Sequence, residues 1–305
     1  MKIDIIGVPL CLGSGKRGAE LGPDKMRERG IADVLTREGV QAYDLGNMFV
    51  PQVAPSEMYA GGGTMKYFRE IRAVTRNLAE TVSAALAGGG FPLVVGGDHS
   101  LSLGSISGTS AHFGGDLAVV WIDAHGDINT EESSPSGNMH GMPLAALMGH
   151  GNRELTGLYR PLRKVDPRNV FIVGVRSLDD GEVELIESER INVYTMQVVR
   201  ERGVAAVAAD IVGKIGEACI ANVHVSLDID VVDPAYAPGT GTTVAEGMLP
   251  DELRELLGGL IEAGGVRSMD LVELNPALDR DDMTTELCID VVDFTAAKLR
   301  TDREG

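Results

Sequence analysis

Short runs of apolar and β-branched residues recur along the chain, each about as long as one strand. They occupy residues 3–8, 91–95, 117–122, 170–175, 223–227 and 268–271. Runs of this kind are typical of parallel strands that are buried on both faces. The pattern therefore predicts a central, mostly parallel sheet.

Helical periodicity separates these runs. It is clearest over residues 66–87, where apolar side chains recur at spacings of three and four, and it returns over residues 198–219, 250–263 and 284–299. Such spacing places one apolar face on each helix. Alternating strands and helices predict an α/β fold in which right-handed crossovers place helices on both faces of the sheet.

The length and composition favour one domain. The chain has 305 residues, near the upper size for one hydrophobic core, and its hydrophobic content of 44% is ordinary for a globular protein. Glycine-rich stretches at residues 61–63 and 88–90 are not followed by the change in composition that marks a linker. We therefore expect a single domain over residues 1–305.

The charge and the termini limit the partners. A formal net charge of -18 disfavours nucleic acid and suits cations. No window approaches the roughly 20 apolar residues of a membrane span, and the first residues lack the long apolar region of a signal peptide. The odd set Cys11, Cys219 and Cys288 fits buried free thiols in a reducing compartment. We expect a cytoplasmic protein without a nucleic-acid or membrane partner.

Polar clusters directly follow the predicted strands. Ligands of parallel α/β sheets bind outside the carboxyl ends of the strands. The run at 91–95 leads into Gly96-Gly-Asp-His99, the run at 117–122 into Asp123-Ala-His-Gly-Asp127, the run at 223–227 into Asp228-Ile-Asp230, and the run at 268–271 into Glu273-Leu-Asn-Pro276. We expect these ends to converge on one acidic mouth.

The clusters offer a set of nitrogen and oxygen ligands at alternating positions. Packed carboxylates repel one another without a counter-charge, and divalent cations remove that penalty. The set is too large for one tetrahedral ion and fits two metals about 3.5 to 4 Å apart. Its oxygen content favours Mn²⁺ over zinc. The predicted ligands are His99, Asp123, His125, Asp127, Asp228 and Asp230.

Each ligand alone has a simpler interpretation. An aspartate at a strand end is commonly a helix cap, and a lone histidine is commonly a core residue. Caps do not explain six such residues at three strand ends, so we favour the metal site.

The motifs resemble those of the ureohydrolases and, among them, the arginases. They read Gly-Gly-Asp-His-Ser at 96–100, Asp-Ala-His-Gly-Asp-Ile-Asn at 123–129, Ser-Gly-Asn-Met-His-Gly-Met-Pro at 136–143 and Ser-Leu-Asp-Ile-Asp at 226–230. The resemblance extends over nearly the whole chain. It implies a three-layer αβα arginase-like fold, two Mn²⁺ per subunit and a homotrimer or homohexamer.

The resemblance also implies a reaction, in which L-arginine and water give L-ornithine and urea. His99, Asp123, Asp127 and Asp228, completed by His125 and Asp230, would hold the metals. A water shared by the metals would lose a proton near neutral pH and attack the guanidinium carbon. Three further roles follow from matched positions: Asp127 orients that water, His140 shuttles a proton to the departing amine, and Glu273 lies beside the substrate guanidinium.

The far end of the substrate distinguishes members of this superfamily. Asn129 and Ser136 match arginase positions that receive the α-carboxylate, and Asp179 and Glu182 match a segment that receives the α-ammonium. Thr242 is also counted among the substrate contacts. These residue types equally form turns and helix caps. Residues 243–249 depart from the arginase pattern, which often has proline and paired glycines there.

Two alternatives therefore stay open. An agmatinase or another guanidino-acid ureohydrolase would have the same metal ligands. A catalytically silent homologue would bind metal without turnover, although none of the matched ligands is missing.

Overall fold

A parallel sheet forms the centre of the fold. The computed structural model describes residues 1–61, 63–161 and 163–304, with side chains described as far as residue 300. Its strands are β1 (Lys2–Val8), β2 (Gln41–Asn47), β3 (Phe91–Gly96), β4 (Ala118–Ile122), β5 (Val170–Val173), β6 (Asn192–Tyr194), β7 (Val223–Asp228) and β8 (Val266–Val272).

Helices connect the strands. They are α1 (Gly22–Glu28), α2 (Ile31–Arg37), α3 (Phe68–Ala87), α4 (Ser102–His112), α5 (Pro143–Met148), α6 (Arg153–Thr156), α7 (Asp180–Glu189), α8 (Met196–Arg202), α9 (Val204–Glu217), α10 (Pro250–Glu262) and α11 (Met283–Glu304).

The strand order places the four polar clusters side by side. The sheet runs β2-β1-β3-β8-β7-β4-β5-β6, and each pairing between the strands is parallel. The central strands β3, β8, β7 and β4 are those that lead into the clusters. Because parallel strands end at the same edge, all four clusters meet there, as predicted.

Each face of the sheet has its own apolar core. On β4, Val120 and Ile122 belong to the core beneath α8 to α11, whereas Val119 and Trp121 belong to the core beneath α3 to α5. Successive strand residues point to opposite faces, so one strand contributes to both cores. The fold has three layers, and the predicted αβα class is confirmed.

The sequence pattern missed two edge strands. The side chains of β2 are mostly exposed, and β6 has only 3 residues. Neither strand carries the apolar run of a strand that is buried on both faces. The predicted helix over 198–219 is also wrong, because Gly203, at φ 82°, separates α8 from α9.

Small residues allow α4 to lie close against α3. A Cβ atom on Gly104 would lie 2.4 Å from the Thr75 carbonyl oxygen, and one on Gly108 would lie 2.4 Å from that of Ala79. Only glycine therefore permits this approach. The buried face of α4 includes serines. Because that face is partly polar, the search for apolar periodicity did not predict this helix.

Two expectations about composition can be compared with the structure. All three cysteines are free, but Cys219 is exposed and Cys11 is half-buried, so only Cys288 is buried as predicted. Among the described residues, no helix has both the length and the apolar content to cross a membrane.

Candidate active site

The predicted metal ligands come together at the carboxyl edge of the sheet. One group of ligand atoms belongs to His99, Asp123 and Asp127, and a second group to Asp123, His125 and Asp230. Within each group the atoms lie within 4.8 Å of one another. Because Asp123 belongs to both groups, the arrangement suits two ions that share a bridging carboxylate.

His99 has the surroundings of a metal ligand. Its Nδ1 lies 3.0 Å from Asp123 Oδ2, and 3.2 and 3.3 Å from Oδ2 of Asp127 and Asp228. This nitrogen is buried, yet it has no hydrogen-bond partner among the residues that the structure describes. Buried polar atoms are normally satisfied. A nitrogen and three carboxylate oxygens that face one another without hydrogen-bond geometry fit a divalent ion between them.

His125 forms the more open part of the centre. Its Nδ1 lies 3.1 Å from Asp230 Oδ2 and 3.3 Å from Asp123 Oδ1, and its side chain is 25% exposed. Thr242, a predicted substrate contact, donates a hydrogen bond of 3.0 Å to Asp230 Oδ2. Thr242 therefore orients a candidate ligand as well as facing the cleft.

The buried carboxylates of the centre differ in how strongly they bind protons. Burial, with repulsion from Asp123, raises the pKa of Asp127 to about 6. Burial, with repulsion from Asp230 and Asp123, raises the pKa of Asp228 well above its ordinary value. The pKa of Asp123 is lowered, because His125 and His99 outweigh its burial. Divalent cations would replace those protons, so the electrostatics also fit a metal centre.

His140 and Glu273 form a pair beside this centre. His140 Nδ1 lies 3.2 Å from Glu273 Oε1, and the same oxygen accepts a hydrogen bond of 3.0 Å from the backbone amide of His99. Burial lowers the pKa of His140, but Glu273 outweighs it and raises the pKa to about 9. His140 therefore carries a proton at neutral pH.

The backbone is strained at two of the predicted catalytic residues. Asp127 has a φ of 52° and Glu273 a φ of 64°, both in the left-handed region. Non-glycine residues in this region are uncommon and are enriched at functional sites. No sequence pattern predicts this backbone conformation.

A cleft of about 130 Å³ opens above the centre. The predicted residues that line it are His125, Asp127, Asn129, Ser136, His140, Asp179, Glu182, Asp228 and Thr242. His99, Asp123, Asp230 and Glu273 lie beneath them. Asn138 and Ser177 line the same cleft but were not predicted.

The residues around the cleft mouth are tied to one another. Asn129 Nδ2 donates to Asp179 Oδ2 at 2.8 Å, and Asn129 Oδ1 accepts from Ser133 Oγ at 2.9 Å. Glu182 accepts from the backbone amides of Asp179 and Ile128, at 2.9 and 3.1 Å. Glu182 therefore holds two cleft segments together, and burial raises its pKa to about 7.

Ser136 lies at the exposed end of the cleft. Its Oγ accepts a hydrogen bond of 3.1 Å from the backbone amide of Asn138. The hydroxyl proton remains available to a ligand, because a serine side chain both accepts and donates.

A buried polar network behind His99 was missed by the sequence analysis. It includes Ser226, Asp270 and His224, all fully buried. The runs at 223–227 and 268–271 were treated as apolar strands, although polar residues alternate within both. That period of two was the available signal, because it places the polar side chains on one face.

Comparisons with known proteins agree with this geometry. A profile of the arginase family matches residues 1–296. An arginase of Staphylococcus aureus (strain COL) is 39% identical over 290 residues, which cover 95% of each chain.

Solved structures give the same result. The arginase of Bacillus caldovelox superposes with a TM-score of 0.91 at 37% identity, covering 97% of each chain. The arginase of Bacillus subtilis superposes with a TM-score of 0.90 at 36% identity, covering 97% of this chain and 98% of the other. The match of the profile and of these relatives over nearly the whole length shows that the chain belongs to the arginase family of hydrolases.

Proposed function

We propose that the protein hydrolyses L-arginine to L-ornithine and urea, with two Mn²⁺ ions held at the carboxyl edge of the sheet. One observation carries the proposal: two groups of ligand atoms share Asp123 at the bottom of a cleft lined by acidic side chains. A cationic guanidinium suits such a cleft, and the shared carboxylate suits a pair of ions.

His99, Asp127 and Asp228 would hold the inner ion, and His125 and Asp230 the one nearer the cleft, with Asp123 between them. The ligand set is rich in oxygen, which favours Mn²⁺. When bound, such a pair of ions makes a water a strong nucleophile near neutral pH.

Residues of the chain would then direct the reaction. Asp127 lies both in the ligand group and in the cleft wall, so it is placed to accept a hydrogen bond from the attacking water. His140 carries a proton at neutral pH and lines the cleft, so it is placed to protonate the departing amine. Glu273 holds His140 in place at 3.2 Å and sustains its charge.

The cleft mouth offers groups for both ends of the α-amino acid. Asn129 uses one of its two amide protons on Asp179, which leaves the other for a carboxylate. Ser136, in the same loop as Asn129, offers a hydroxyl proton. Asp179 is exposed and lines the cleft, so its charge is available to an ammonium group.

We extend the proposal to a cytoplasmic location, as expected from the first residues of the chain, and to a homotrimer or homohexamer, as the resemblance implies. Light scattering coupled to size-exclusion chromatography measures the mass of the assembly. A monomer would contradict this part of the proposal and leave the chemistry unaffected.

Urea release from L-arginine, agmatine and 4-guanidinobutyrate tests the reaction, with chelator-treated protein assayed before and after addition of Mn²⁺. We expect Mn²⁺-dependent release with a preference for L-arginine. A preference for agmatine would favour the agmatinase alternative and overturn the assignments at the cleft mouth. No release from any guanidino compound would favour a silent homologue.

A further inference from the structure

A chain of buried polar side chains extends from His99 into the core beneath α4. His99 Nε2 lies 2.9 Å from Ser226 Oγ, which lies 3.3 Å from Asp270 Oδ2. Asp270 Oδ2 in turn lies 3.0 Å from His224 Nε2. All four side chains have an exposed fraction of 0%. The chain therefore links a candidate metal ligand to a carboxylate that solvent does not reach.

Stability alone does not account for a carboxylate in this place. In the described part of the chain, Asp270 has no lysine or arginine partner. Its Oδ2 accepts a hydrogen bond of 2.6 Å from Ser105 Oγ, whereas its Oδ1 has no hydrogen bond. A buried charge costs several kcal/mol, and well-packed apolar residues commonly replace such pairs without loss. The neighbouring strand residues Val225 and Met269 are apolar.

The direction of the hydrogen bonds follows from what each group is able to donate. Burial raises the pKa of Asp270, but His224 and serine hydroxyls outweigh it and lower the pKa below its ordinary value. An ionised Asp270 only accepts, and Ser226 Oγ also lies 3.0 Å from Ser102 Oγ, so the single hydroxyl proton of Ser226 has two acceptors on the side away from His99. The lone pairs of Ser226 then face His99 Nε2, which places the ring proton on that nitrogen.

The tautomer of His99 is thereby fixed. With the proton on Nε2, Nδ1 presents a bare lone pair to Asp123, Asp127 and Asp228. Histidine ligands of metals commonly donate their other N–H to an oxygen acceptor, which sets the tautomer and the orientation of the ring.

The second imidazole of the centre lacks this support. Among the described residues, no group forms a hydrogen bond to His125 Nε2, and the side chain is 25% exposed. The two halves of the centre therefore differ in how firmly the protein holds the histidine.

We infer that Ser226 and Asp270, with His224 behind them, are positioning residues that prepare His99 to bind the inner divalent ion. The inference rests on the proposed metal centre. It predicts that damage to the network weakens one of the two ions and leaves the other in place.

The test uses the full-length protein and Mn²⁺ alone. Ser226→Ala removes the hydroxyl that links His99 to Asp270. We expect chelator competition to give one Mn²⁺ affinity equal to that of the wild type and one weakened by about 10- to 100-fold. At a free Mn²⁺ concentration that just fills both wild-type sites, electron paramagnetic resonance should show a mononuclear spectrum in the variant and a spin-coupled pair in the wild type.

Ser107→Ala is the matched control. Ser107 lies on α4, is fully buried and has no hydrogen-bond partner for its hydroxyl within the described part of the chain. This variant should bind both ions as the wild type does. Asp270→Asn is the second test, because it keeps the shape of the side chain and removes its charge. It should weaken the same ion as Ser226→Ala, and it decides the question if Ser226→Ala does not fold.

Two results would count against the inference in different ways. If Ser226→Ala bound both ions with wild-type affinity and lost only thermal stability, the network would be structural and the inference would be wrong. If the wild type itself bound fewer than two Mn²⁺ per chain, the proposed centre would fail first, and the inference with it.

Discussion

The floor and the mouth of the cleft are built in different ways. We call His99, Asp123, Asp127 and Asp228 the floor. Their side chains are buried, and they lie at or within a few residues of the carboxyl ends of central strands of the sheet. We call Asn129, Ser136 and Asp179 the mouth. They lie in loops, and two of the three are exposed.

The two regions also differ in what satisfies their polar groups. In the described chain, histidines are the only cationic partners of the floor carboxylates, and His99 Nδ1 has no hydrogen bond. The mouth residues bond to one another and to their own turns. The floor therefore requires cations from outside the chain, whereas the mouth does not. Chemistry and selectivity should be separable by mutation.

The largest effect is expected from Asp123→Asn, because Asp123 is the residue that both ligand groups share. Loss of both ions removes several kcal/mol of transition-state stabilisation, so kcat/KM should fall by about 1000-fold or more. Metal analysis should find fewer than two Mn²⁺ per chain. Asp251→Asn, at a residue whose side chain is 93% exposed, is the control. Full metal content in Asp123→Asn would contradict the assignment of the floor.

The next effect is expected from His140→Asn, which removes the proton donor and leaves the ligands intact. Steady-state kinetics should show kcat lower by about 100- to 10,000-fold. Two Mn²⁺ per chain should remain, because His140 belongs to neither ligand group. A loss of metal together with activity would indicate that His140 supports metal binding and is not only a proton donor.

An intermediate effect is expected from pH. Burial, with repulsion from Asp123, raises the pKa of Asp127 from 3.8 to about 6, so the metal-free native state holds a proton more firmly than the unfolded chain does. That stability is complete below about pH 4 and is lost as pH rises through about 6.

Bound metal displaces this proton. The stabilisation by Mn²⁺, measured as a free energy of unfolding, should therefore grow as the pH rises towards about 6, by about 1.4 kcal/mol per pH unit for each proton displaced, and level off above about pH 7. Calorimetry with Mn²⁺ and with chelator measures the difference. A difference that does not change with pH would mean that the floor carboxylates hold no protons.

The smallest effect is expected from Asp179→Asn at the mouth. Exposed charge pairs contribute up to about 1 kcal/mol, so KM for L-arginine should rise by about fivefold with little change in kcat. The KM or inhibition constant of 4-guanidinobutyrate, which has no ammonium group, should not change. Equal effects on both compounds would show that Asp179 acts on the loop and not on the ammonium.

The same contrast explains what the sequence was able to predict. The floor was predictable because strands that are buried on both faces leave a strong apolar signal, and their polar ends must meet at one edge. His99 and Asp228 are far apart in the chain, yet the parallel arrangement alone brings them together.

Other features depend on contacts that local patterns do not encode. Nothing in the apolar pattern indicates that β8 pairs with both β3 and β7. The left-handed backbone at Asp127 and Glu273 needs the whole surrounding structure to hold it. The bond between Asn129 and Asp179 joins two loops whose separation is set by the sheet.

The place of β8 in the sheet has a consequence for biosynthesis. β8 is the last of the described strands in sequence, yet it lies between β3 and β7 and joins β2-β1-β3 to β7-β4-β5-β6. His99 follows β3, and its nearest carboxylates follow β4 and β7, across that gap. In a nascent chain on the ribosome, the two parts of the sheet therefore cannot be joined until residue 272 has emerged. The proposed metal centre is therefore expected to form late in folding, and a shorter translation product is expected to have the carboxylates without the arrangement that would hold an ion.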